Sequence, residues 1–374
     1  MNDKTNEILI YAVGDIMLGD HPHYMGMGIG SRLRQGKTGD PFEHVKHILR
    51  QGDIVLGNLE TVLSDVTARH GLDGINMRGD PSSARYIAEA GFNVISVANN
   101  HAMQHGMPAW FESIQNLRAL GISVIGVEED SVFLLECKGR RIAFLGFSLL
   151  PPQYKVESPP YCLACPTEVQ EEIRRAKHKA DIVILMVHWG DEYPSWPSSQ
   201  QVRLGESFIR SGASLVIGHH PHVLQGVQKK GDGVIAYSLG NFVSDMSTRR
   251  CRETAILLVR LCNKGVKEFE LLPIIISEDS RPYISGTGAK PGTNLMEKCN
   301  KLLSMVGGED AEAKYAREVR RSVREFRREL LVWLVRNWQK YPLILLLRLL
   351  GRIVLRRLLL PVWWLSGVMM RSRE

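Results

Sequence analysis

Residues 214–222 read Ser-Leu-Val-Ile-Gly-His-His-Pro-His, which places three imidazoles within four positions directly after a short apolar run. Neutral imidazole is the commonest protein ligand for transition metals. Twelve histidines spread over 374 residues seldom fall this close together by chance. Four other apolar runs end in polar groups in the same way, delivering Asp15, Glu60, Asn100 with His101, and His188. With His220 and His222 these make a mixed oxygen and nitrogen set without thiolate, suited to Mn, Fe or Zn rather than to Ca or Mg alone. The set is large enough for one or two divalent ions sharing a bridging carboxylate. Two neighbouring ions grip both oxygens of a phosphate and lower the pKa of a bound water. One spare imidazole is then available to protonate a leaving alkoxide. Taken singly, each residue has a plainer reading: Asp15 as a turn residue or helix N-cap, Asn100 as a loop cap, His188 as a satisfied core histidine. One pattern repeated over five segments favours the site.

The elements that must position these groups alternate in type. Strands are expected over 8–14, 52–60, 92–98, 122–127, 132–137, 141–147, 182–187, 215–217, 234–238, 255–261 and 268–276. Helices are expected over 41–51, 81–90, 107–120, 167–179 and 200–211, with 20–40 as a loop. Alternation of this kind predicts an α/β fold, and ligand groups just past the carboxyl ends of strands sit where open α/β sheets place their sites. Asp53 precedes its apolar run and reads as a strand-start turn residue. The stretch 278–308 is rich in Ser, Gly and Pro and reads as a loop. Residues 309–329 read as a charged helix with a solvated face.

Charge is unevenly spread. Residues 330–374 carry eight Lys/Arg against one acid, while 1–329 balance at 39 of each sign, so a nucleic-acid-binding body is not supported. The tail holds apolar runs at 330–335, 341–347 and 358–370, the last with thirteen uncharged residues broken by Pro361. A spanning helix needs about twenty. Arg348, Arg352 and Arg356 recur every four residues, and Trp333, Trp338, Trp363 and Trp364 are four of the seven tryptophans. Such a segment is expected to lie in the plane of an anionic membrane surface. The alternatives are an amphipathic helix docked on the body or on a second subunit, and a re-entrant insertion. The opening residues lack the cationic-then-apolar pattern of a secretory signal. Six cysteines form no disulfide framework, and the lone Cys162-x-x-Cys165 reads as an ordinary loop pair. A cytoplasmic location, peripheral at the inner face of the membrane, is the resulting expectation.

Six motifs resemble the CapA family: Gly14-Asp15-Ile16-Met17, Gly57-Asn58-Leu59-Glu60, Ala98-Asn99-Asn100-His101, His188-Trp189-Gly190, Gly218-His219-His220-Pro221-His222 and Tyr237-Ser238-Leu239-Gly240-Asn241-Phe242. They occur in order over roughly 8–275. That family is associated with capsule and poly-γ-glutamate synthesis and with the metallophosphatase (calcineurin-like) superfamily. The resemblance implies a four-layer sandwich, two packed β-sheets flanked by helices, followed here by a C-terminal helical tail. It implies Asp15, Glu60, Asn100, His188, His220 and His222 as ligands of one or two divalent ions (Mn, Fe or Zn), and His101 as proton donor. His219 is left out of the ligand set, either facing away or supporting it from outside. Met17 stands where the superfamily has a ligating His, Glu60 where it has an Asp, and Gln104 where CapA-like chains often have an Asp. The expected organisation is a metallophosphatase-like domain over 1–278, a linker and charged helix over 279–329, and a basic membrane-associating tail over 330–374. The expected function is metal-dependent hydrolysis of a phosphoester or related anionic linkage in capsule, poly-γ-glutamate or other cell-envelope polymer synthesis. The expected partners are the anionic polymer or phosphoester, an anionic membrane through 330–374, and polymer synthase subunits, with no nucleic acid. The alternative is a non-catalytic metal-binding accessory subunit of a membrane polymer synthase complex.

Overall fold

The computed structural model describes residues 7–351 apart from 155, 263–264, 286–290, 309, 342 and 350. In chain order its strands are β1 (Ile8–Ile16), β2 (Ile54–Leu59), the short pair β3 (Val62–Leu63) and β4 (Arg78–Gly79), β5 (Val94–Ser96), β6 (Ser123–Ile125), β7 (Phe133–Cys137) and β8 (Arg140–Ser148). They continue with β9 (Ile182–His188), β10 (Leu215–His219), β11 (Val227–Lys230), β12 (Gly233–Ala236), β13 (Asn241–Val243), β14 (Glu253–Cys262), β15 (Gly265–Ile276) and β16 (Pro282–Ile284).

Two mixed sheets result. One runs β16-β15-β14-β1-β2-β5-β6 with β13 beside β1, and the other β11-β12-β10-β9-β8-β7. Strands β1, β2, β5 and β6 are parallel, as are β8, β9, β10 and β12. Their unbroken apolar sequences fit strands covered on both faces. Ile8, Ile10, Ile54 and Leu56 of the first sheet meet Ile142, Phe144, Ile184 and Ile217 of the second in one buried cluster, so the core lies between the sheets. A second cluster joins the outer face of the first sheet to Trp110, Ile114 and Leu117 of helix Met107–Ala119. A third joins the outer face of the other sheet to Val169 and Ile173 of helix Pro166–Lys177 and Phe208 of helix Ser199–Ser211. The order helices, sheet, sheet, helices is the four-layer α/β sandwich that the family resemblance implied.

Several local expectations change. The loop 20–40 contains helix Ile29–Arg34, and β11 adds a strand beside β12. Within 41–51 only Lys46–Leu49 is α-helical. The 278–308 stretch is not a loop: it holds β16 and helix Pro291–Leu303, whose Cys299, Leu295 and Met296 join the central core. Pro at the first helical position was the available sign. Helix Ala311–Asn337 runs unbroken across the expected 329/330 boundary, and its face is not wholly solvated, since Glu318 and Ser322 are buried. Its Leu330 and Leu334, with Tyr341, Leu345 and Leu349 beyond it, pack against Tyr24 and Met25 of the body. Part of the tail is therefore docked on the protein itself, as in the docked-helix alternative. The 358–370 run with Trp363 and Trp364, and Arg352, Arg356 and Arg357, lie outside the described residues. Among the described residues no helix is long and apolar enough to cross a membrane.

Candidate metal centre

The parallel strands of both sheets deliver their carboxyl ends to one place. Asp15 lies in β1 and pairs with Asn58 of β2 and Asn241 of β13, and Glu60 follows β2 directly. His188 ends β9 beside His219, the last residue of β10. Close backbone approach makes this convergence possible. A side chain at Gly14 would strike the Gly240 carbonyl at 1.9 Å, and one at Gly218 the Tyr237 carbonyl at 2.0 Å. After β10 the chain turns through His220 and His222, both with positive φ (95° and 59°). Non-glycine residues hold such angles only where surrounding structure enforces them, often at functional sites.

The six expected ligands come together. His222 Nδ1 lies 3.4 Å from Asp15 Oδ2 and 3.7 Å from Glu60 Oε2, and His188 Nε2 lies 3.6 Å from Glu60 Oε1. Asn100 Oδ1 is 2.9 Å from His188 Nε2. The His188 and His220 rings are 4.8 Å apart. Ligand atoms of Glu60, His220 and His222 all fall within 4.8 Å of one another. His219 does not face away: its Nδ1–H donates to Asp15 Oδ1 at 2.9 Å. Asn58 Nδ2 donates to the same oxygen at 2.8 Å. His222 Nδ1 is held by Asn241 Oδ1 at 3.0 Å, and the Asn241 amide nitrogen donates to the Cys251 carbonyl, which sets the amide's orientation. Partners of this kind orient ligands without touching the metal. Met17, in the place of the superfamily's His, has its sulfur 3.5 Å from the Ser244 hydroxyl.

The donor set fits a cation. Both Glu60 carboxylate oxygens are buried without a hydrogen-bond partner, as are His188 Nδ1, His219 Nε2 and His220 Nδ1. Buried polar atoms are normally satisfied, so the unpartnered Glu60 oxygens and His220 nitrogen, in the group where ligand atoms of Glu60, His220 and His222 converge, suit a common cation. Electrostatics agrees. Burial, reinforced by Asp15, holds the Glu60 carboxyl well above the usual range. Against the opposing effect of burial, Glu60 and Asp15 push the His222 imidazole up to about 10. Burial would raise Asp15 too, but hydrogen bonds and charge from His219 and His222 hold it well below the ordinary carboxylate range. Burial brings His220 down to about 4 and His188 well below the histidine range, leaving neutral imidazoles fit to ligate. A dry pocket that raises both the Glu60 carboxyl and the His222 imidazole favours added positive charge.

His101 is buried next to this cluster, with its Nδ1–H directed to Gln104 Oε1 at 2.8 Å. Gln104 Nε2 donates to the Asn76 carbonyl at 3.0 Å, which fixes the amide and leaves His101 Nε2 as the free ring nitrogen. Burial lowers the His101 pKa and the Gln104 bond partly opposes it. Glu192 carries no signal in the sequence. Its carboxylate, raised by burial but lowered more by His222 and His220, faces the histidines from the loop after β9. Asn58 and Asn241 lie within motifs noted in the sequence, but only the fold assigns them to Asp15 and His222.

The family model for the bacterial capsule synthesis protein PGA_cap matches residues 9–246. The chain is 30% identical over 296 residues to the PGA biosynthesis protein CapA of Bacillus subtilis (strain 168), covering 76% of each. It is 29% identical over 310 residues to the capsule biosynthesis protein CapA of Bacillus anthracis, covering 79% of this chain and 72% of that one. Among solved structures it resembles a hypothetical protein from Thermus thermophilus at a TM-score of 0.45 and 16% identity, over 71% of this chain and 98% of that one. It also resembles the 5'-nucleotidase from Candida albicans SC5314 at a TM-score of 0.42 and 14% identity, over 87% of this chain and 59% of that one.

Proposed function

The chain belongs to the bacterial capsule synthesis protein family PGA_cap, and from that premise we propose that it is a metal-dependent hydrolase of a phosphoester or related anionic linkage, acting in capsule or poly-γ-glutamate synthesis. The observation that carries this reading is Glu60, whose two buried oxygens have no hydrogen-bond partner amid His188, His220 and His222. Asp15, Glu60, Asn100, His188, His220 and His222 would hold one or two divalent ions of the Mn, Fe or Zn type. Such an ion polarises an ester oxygen and lowers the pKa of water. Asn58 and His219 hold the Asp15 carboxylate, and Asn241 holds the His222 ring, so the donors are oriented before a cation arrives. His101 carries its fixed proton on Nδ1 toward Gln104, and its Nε2 would take up the proton released by the attacking water and hand it to the leaving oxygen.

The same reading puts the protein at the inner face of a membrane with anionic lipid. Leu331, Val335, Trp338, Leu343, Ile344 and Leu347 are exposed beside the exposed Arg336. Apolar side chains interleaved with arginine are the composition of a surface-lying segment. Synthase subunits at that surface would be further partners.

The test is metal content and hydrolysis on one preparation. Wild-type protein loaded with Mn is expected to retain the ion and cleave bis-p-nitrophenyl phosphate. Glu60→Gln and His220→Ala are expected to lose the ion, and His101→Gln to keep it and lose the turnover. Metal retention without hydrolysis in the wild type would support the accessory-subunit alternative instead.

A further inference from the structure

Helix Ala311–Asn337 lies across the loops that rim the metal pocket. The Phe326 ring stacks on Tyr193 at 4.3 Å and 11°, and lies 6.0 Å from the His23 ring. Tyr193 in turn lies 6.4 Å from His222, its amide donates to the Pro221 carbonyl at 2.8 Å, and its φ is +79°. Arg250 bolts the helix down: its Nη1 reaches Ser195 Oγ at 3.2 Å, Glu318 Oε1 at 3.4 Å and Ser322 Oγ at 3.1 Å. Its Nη2 reaches Glu325 Oε2 at 2.9 Å. Further along, Trp333 meets Tyr24 edge to face at 4.8 Å. The three rim loops that follow β1, β9 and β13 are thus all tied to one helix. Beneath it the reacting groups are nearly closed off: Glu60 is 1% exposed, His222 3%, His220 7% and His101 9%. A polymer cannot reach groups this buried.

The fully buried face of the helix is partly polar. Of its four buried side chains, Glu318 and Ser322 are polar and only Leu330 and Leu334 are apolar. Segments with few buried apolar contacts open before the rest of a fold. Just ahead of it Gly307 and Gly308 hold φ of +112° and +87°, and Gly307 has open space around it. Such a glycine pair is a natural hinge. The helix also lies beyond residues 9–246, the part that matches the family model. We infer that helix Ala311–Asn337 is a hinged cap on the metal pocket, latched by Arg250 to Glu318 and Glu325 and plugged by Phe326 on Tyr193, and that it lifts to admit substrate. This inference rests on the reading of the pocket as the functional site.

The experiment measures how fast diethyl pyrocarbonate acylates each histidine of the full-length, chelator-treated protein, read peptide by peptide by mass spectrometry. Exposed His47 and His178 serve as the fast reference, and buried His105, held by Thr67 and the Asn76 carbonyl outside the cap, as the slow one. In Phe326→Ala and Glu325→Gln the rates at the neutral imidazoles of His101 and His220 are expected to rise up to about fivefold, the change that follows from losing one partly exposed contact of about 1 kcal/mol, while His105 stays slow. The Glu325 side chain is 42% exposed, so its variant keeps the test open if Phe326→Ala folds poorly. Pocket rates unchanged in both variants overturn the cap, and so does a rise at His105 in step with them, which would make the helix a general prop. Mn content, measured separately on wild type, reports on the metal reading alone. An empty wild type would sink that reading without altering the histidine rates by which the cap is judged.

Discussion

At the level of single residues, the centre is a set of imidazoles and carboxylates whose protons compete with a cation. His222, raised to about 10, is protonated at neutral pH in the cation-free pocket, so an entering ion must displace that proton. The sign follows: lower pH favours the proton, so apparent affinity for Mn should climb between about pH 6 and 8. Calorimetry in buffers of different ionisation enthalpy should register about one proton released per ion bound. Equal heats in all buffers would contradict the charge-deficient pocket. Asn241→Ala removes the bond that orients His222 without removing a ligand. Its expected effect is a loss of metal affinity on the order of 10- to 100-fold with the fold intact. Equilibrium dialysis and circular dichroism together check both halves.

At the level of elements, strand ends carry the donors and the helices behind them keep the ends still. Helix Ser199–Ser211 begins with a capping box between Ser198 and Gln201, and the Gln201 side chain also sits against Gly190, in the turn after His188. Ser198→Ala should therefore cost about 1 kcal/mol of stability, seen as a lower denaturant midpoint. Gly218→Ala is the harsher change. Its methyl would meet the Tyr237 carbonyl at 2.0 Å and Trp189 Nε1 at 2.5 Å, so β10 and β12 must separate just before the histidine turn. We expect a cost of roughly 1–3 kcal/mol together with lost metal binding. Ala at this position with wild-type stability would mean that the strands are not held this close in solution.

At the level of the whole molecule, distant segments stabilise one another through buried charge. Burial beside Asp20 pushes Asp245 up to about 6, although Arg32 and Ser280 hold it from elements far along the chain. A carboxyl raised above its unfolded value favours the folded state most below about pH 4, and the cost of ionising it is complete above about pH 6. Cation-free protein should therefore lose stability as pH rises through that window, by up to roughly 3 kcal/mol from this group. Glu60 contributes with the same sign. Urea midpoints of the wild type should fall as pH rises through this range, and those of Asp245→Asn should fall less. Parallel curves for the two proteins would remove Asp245 from the account.

The sequence alone determined an α/β fold with its site at strand ends, because long apolar runs make buried strands and a polar group after each run must lie at a strand end; the two-sheet sandwich was implied by the family resemblance of the motifs. Asp15, Glu60, His188 and the turn at 218–222 were legible for that reason. What only the tertiary structure decided is what meets across segments far apart in the chain. His219 turning to Asp15, Asn241 to His222 and Glu192 to the histidines depend on loop geometry, which no spacing encodes. The same holds for helix Ala311–Asn337, whose alternating charges read as a solvated face until Arg250, 68 residues earlier, supplies the partner for Glu318. Local periodicity reports which side chains want to be buried; the partner that makes burial of a polar one tolerable comes from elsewhere in the fold.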